Sequence, residues 1–91
     1  MSIAKSLADL NQKIAKAEAD LRIIEEQVLF QMDVVEDLKT RALVAETPLA
    51  DREYRVARDD YARLQRQRDE GLKAIADLKN EQDKLLDRMT S

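Results

Sequence analysis

The sequence predicts an all-α protein, a long antiparallel two-helix coiled-coil hairpin that assembles into a helical bundle. Three observations lead there. Apolar residues recur in a 3-4 pattern over six heptads. One position, Glu46-Thr47-Pro48, interrupts helical grammar. The apolar series before and after it agree in phase when the chain is folded back about residue 46.

The first helix is expected over about 2–44, with Ser2 placed to cap it. Its seam runs from Ile3 and Leu7 through Leu21, Val28 and Val35 to Ala45, and only Gln31 is polar. The turn is expected at about 45–47. Pro48 suits the first position of a helix, where its missing N–H costs nothing, and Thr47 is then the N-cap. The second helix is expected over about 48–89. Its seam runs from Ala50, Tyr54 and Ala57 to Leu85 and Met89, with Arg68, Gly71 and Gln82 as departures.

Folding about residue 46 pairs residues whose numbers sum to about 92. Leu7 then faces Leu85, Val28 faces Leu64, and the small Gly71 faces Leu21. Small residues opposite large ones let layers interdigitate. Gln31 falls opposite Tyr61, whose hydroxyl is the expected partner of its amide. An exchanged dimer with the Thr47-Pro48 turn opened would use the same seam, and periodicity does not separate the two. Either way the chain reads as a single helical domain over 1–91.

Composition narrows the chemistry. The 91 residues are 38% charged and 44% hydrophobic, with one Gly, one Pro, no Cys and no His. Thiol chemistry, disulfides, zinc fingers and imidazole bases are therefore excluded, and no catalytic residue, metal ligand or cofactor site is predicted. The net charge of -3 on 35 charged residues gives no general attraction to nucleic acid or membrane. Six arginines lie between Arg52 and Arg68, but Asp51, Glu53, Asp59 and Asp60 are interleaved with them. That mixture argues against a nucleic-acid-binding helix. Carboxylates stand four residues before a cation at Glu18–Arg22, Asp37–Arg41, Asp51–Arg55, Asp59–Arg63 and Asp69–Lys73. Such spacing supports a helix by roughly 0.2–0.5 kcal/mol per pair, which accounts for much of the charge. Neither a membrane span nor a signal peptide is visible, so a cytoplasmic location is expected.

The stretch from Val28 to Val35 exceeds what a two-helix seam needs. Leu29, Phe30, Met32 and Val34 flank the seam, and Ile23 lies one heptad before Phe30. A helix apolar nearly all round is normally buried nearly all round, and an exposed patch of this kind marks an interface. These residues either widen the seam or bind protein, a second copy or another partner. Leu72 and Leu86 of the second helix also lie off the seam and fit the interface reading. The expectation is a non-enzymatic interaction or scaffold module that self-assembles, with no small-molecule substrate.

A second expectation concerns the turn, where Glu46, Asp51 and Glu53 gather acidic charge. Pro48-Leu49-Ala50-Asp51-Arg52 resembles the acidic hairpin tips of bacterial transcription factors that reach into the RNA polymerase secondary channel. Over those five residues the resemblance implies a small transcription regulator whose tip carboxylates meet the catalytic magnesium. The docking domain of such factors is not among the 91 residues. Acidic residues at a helix start also have a simpler role, since they suit the helix dipole.

Overall fold

A computed structural model describes residues 2–90. Met1 and Ser91, the ends of the expected 1–91 domain, lie outside the described residues. The chain forms two helices, α1 (Ile3–Ala45) and α2 (Pro48–Thr90), joined as an antiparallel hairpin. The helix bounds lie within one residue of those the caps predict. The Ser2 hydroxyl accepts a hydrogen bond from the Lys5 N–H (3.1 Å), and the Thr47 hydroxyl accepts one from the Ala50 N–H (3.2 Å). Pro48 opens α2.

The turn itself is two residues, Glu46 and Thr47. Glu46 takes a left-handed conformation (φ 51°), and its N–H donates to the Ala42 carbonyl (3.2 Å). This is the αL way of ending a helix, usually given to Gly because a Cβ is strained there. Nothing in the residue type announces it, so the sequence places the turn without its geometry.

Two units emerge from the tertiary contacts. The first consists of Met1–Arg22 and Asp69–Ser91, the second of Ile23–Arg68. In each, a segment of α1 packs on a segment of α2. Among the described residues all eight buried apolar residues are seam residues: Leu10, Ile14, Leu21 and Ile75 in the first unit, and Val28, Ala42, Ala50 and Ala57 in the second. The other seam positions are half-buried, except Ala45 and Met89 at the ends, which are exposed.

The register is visible in the first unit. A Cβ added at Gly71 would stand 3.4 Å from Leu21 Cδ1, and Gln82 Nε2 donates to Asn11 Oδ1 (2.6 Å). Gly71 faces the Leu21 side chain rather than neighbouring backbone, so it does not serve a close backbone approach.

Two details differ from expectation. Gln31 Nε2 donates to the Ala57 carbonyl (3.1 Å), not to the Tyr61 hydroxyl. A flexible amide reaches an α2 carbonyl beside the small Ala57 as readily as a ring hydroxyl. Arg63 meets Asp60 (3.5 Å) instead of Asp59, and Lys16 meets Asp20 (2.9 Å). Among the described residues, Glu18–Arg22, Asp37–Arg41 and Asp51–Arg55 are not closed as ion pairs. Exposed pairs gain so little over solvated charges that side-chain entropy decides which of them close. Asp20, hydrogen-bonded to Lys16, holds that ammonium above the usual lysine pKa.

Candidate protein-interaction surface

The apolar residues singled out by sequence do not form one surface. Heptad spacing separates them onto two flanks of the seam, and the hollows between the helices show which residues gather. Ile23 and Phe30 line a hollow with Gln27, Arg63, Leu64 and Gln67. Val34 lines another, with Leu38 of α1 and Leu49, Glu53, Val56 and Asp60 of α2. Gln31 lines both, so the two hollows adjoin along one flank of the second unit. Gln27 and Val34 are one heptad apart, as are Asp60 and Gln67, which fits one continuous flank.

Leu29 sits on the other flank. It lines a small hollow with Glu25, Val28 and Arg68, whose half-buried side chain accounts for the arginine at a seam position. Met32 follows Leu29 by three residues and is exposed. Leu72 and Leu86, both exposed, belong to the first unit.

Exposure marks the first flank as the richer one. Phe30 is 71% exposed and Ile23 and Val56 are more than half exposed, while Val34 is half-buried. Leu43, Val44 (81% exposed), Leu49 and Val56 are large exposed apolar residues that the sequence reading did not single out. A signal for them exists. Val44 follows Phe30 by two heptads, and Leu49 and Val56 are one heptad apart on α2.

The tip carboxylates do not converge. Glu46, Asp51 and Glu53 are all exposed. Among the described residues no group of three or more His, Cys, Asp or Glu could hold a metal ion. Asp51 lies in the first turn of α2, where its charge suits the helix dipole, and its N–H donates to the Thr47 carbonyl (3.1 Å). Glu53 belongs to the apolar flank, beside Leu49 and Val56. Arg58 stacks over the Tyr54 ring at 5.0 Å, so with Arg63, paired to Asp60, at least two of the six arginines are engaged within α2. No helix among the described residues is long and apolar enough to cross a membrane.

No protein-family model, no curated protein and no solved structure matches this chain.

Proposed function

We propose that the chain is a non-enzymatic, cytoplasmic interaction module, a scaffold or adaptor that self-assembles through the exposed apolar flank of its second unit. One observation carries this reading. The second unit buries alanines in its seam and leaves Phe30, Leu49 and Val56 in solvent. Burying such a side chain is worth about 1.5–3 kcal/mol, so a covering partner would gain several of them at once.

Surface area supports the same reading. The chain exposes 6898 Å², whereas a compact monomer of its 10.5 kDa mass would expose about 5400 Å². Among the described residues no side chain is fully buried. Small chains with thin cores commonly gain the missing burial by association.

The test is solution mass by light scattering coupled to size exclusion, across a range of concentrations. The parent chain is expected at a multiple of 10.5 kDa. Phe30→Glu is expected at the single-chain mass with unchanged helical circular dichroism, since Phe30 contributes nothing to the seam. Equal masses for parent and variant would remove this flank as the assembly surface.

A further inference from the structure

We infer that the turn locks the chain as a closed hairpin: between Ala45 and Ala50 the seam changes face, so a second copy cannot exchange helices with the first. An exchanged dimer straightens each chain into one long helix and lays two of them antiparallel, so that α1 of each packs on α2 of the other. The 3-4 rhythm within each helix serves that arrangement as well as it serves the hairpin. The spacing across the turn does not.

The seam of α1 closes with Leu38, Ala42 and Ala45. Carried on at the same rhythm, it would take Leu49, Arg52 and Val56. All three are exposed. The inward residues of α2 are instead Ala50, Tyr54 and Ala57, one or two positions late; Ala50 and Ala57 are buried and Tyr54 is half-buried. At 3.6 residues per turn, that lag is roughly 100–200° round a helix. In one continuous helix the two seams would therefore look to different sides, and a straight partner could cover only one of them. The hairpin escapes this because Glu46 and Thr47 leave the helix. With Glu46 left-handed (φ 51°) and Thr47 capping the Ala50 N–H, α2 restarts in a new phase. Leu49 and Val56 are the residues that the old phase would have turned inward.

Pro48 acts in the same direction. As the first residue of α2 it loses nothing, whereas in a continuous helix its ring would meet the Val44 carbonyl and leave that group without an N–H donor. Glu46 pulls the other way, since straightening would release it from the left-handed region. The penalty of an interior proline is the larger of the two. The change of face adds to it and does not depend on Pro48.

Energy transfer between two dyes on one chain tests the lock. The chain has no Cys, so Asp9→Cys and Asp83→Cys, at exposed positions of the first unit, can carry the dyes. They lie beside Asn11 and Gln82, whose side chains are hydrogen-bonded between the helices. A trace of doubly labelled chain is unfolded and refolded with an excess of unlabelled chain of the same variant. A closed hairpin keeps its dyes together, whether or not hairpins associate through their flanks, so the result is independent of the assembly reading. An exchanged chain holds them about 110 Å apart at 1.5 Å per residue, and transfer is lost. The parent and Pro48→Ala are both expected to keep full transfer at every concentration. Two alanines inserted between Glu46 and Thr47 lengthen the step from Ala45 to Ala50 from five residues to seven, one whole heptad, and bring both seams onto one face. Combined with Pro48→Ala, this insertion is expected to lose transfer progressively as concentration rises, with helical circular dichroism retained. Full transfer in that variant at every concentration, or a concentration-dependent loss in the parent or in Pro48→Ala, would overturn the lock.

Discussion

The two units use the same seam repeat and differ in how much bulk they leave exposed. In the first unit, large residues fill the seam: Leu10, Ile14, Leu21 and Ile75 are all buried. In the second, three of the four buried residues are alanines, Ala57 being only 4% exposed. Val28, Val35, Leu38 and Leu64 also fill its seam, but among the described residues eight large apolar residues stand exposed in it, against three in the first unit. Alanine layers such as Ala42 and Ala50 near the turn let helices approach closely but bury little area. The first unit therefore buries large side chains deeply in its own seam, and the second leaves more of them in solvent. A heptad repeat alone does not reveal this, because it records where apolar residues stand and not how large they are.

Substitutions can break or sharpen that contrast. The largest effect is expected from Ile75→Ala, which empties a filled layer of the first unit and should cost about 2–4 kcal/mol. Phe30→Ala removes a larger side chain, yet in the dissociated chain it should cost no more than about 0.5 kcal/mol, as surface changes do. Urea midpoints, taken at dilutions where the chain is dissociated, make the comparison; equal losses would erase the distinction between the units. Next comes Thr47→Ala, which deprives the Ala50 N–H of its acceptor and should lose about 1 kcal/mol in the same assay. Gly71→Ala is expected to act in the opposite direction. Its new methyl would meet only the movable Leu21 side chain at 3.4 Å, so relief of glycine's helix penalty should raise stability by about 0.5–1 kcal/mol. A loss on Gly71→Ala would mean that the first unit is packed more tightly than its half-filled glycine layer implies.

Much of the fold was legible because helices report their neighbours through periodicity. Every buried residue belongs to the seam read from spacing, and Ser2 and Thr47 cap as their hydroxyls suggest. What escaped was set by geometry that spacing does not encode. The partner of Gln31 depends on how far its amide reaches past Ala57. The left-handed Glu46 is chosen by the closure of the turn, not by its own preference. The candidate surface was half legible. Phe30 stood out in an apolar run and Ile23 one heptad before it, but Leu29 proved to line a different flank, and Leu49 and Val56 emerged only when α2 was laid beside α1.

The distribution of bulk along the seam also bears on how the hairpin closes. Contacts next to the Glu46-Thr47 turn join residues a few positions apart, such as Ala42 and Ala50, and their closure entropy is small. They are also the layers with least to gain by forming. The layers with most to gain, around Leu10, Ile14 and Ile75, join positions some sixty to seventy residues apart along the chain. A zipper started at the turn therefore climbs through its weakest teeth before reaching its strongest. Helix formation, which is local and fast, must carry it there.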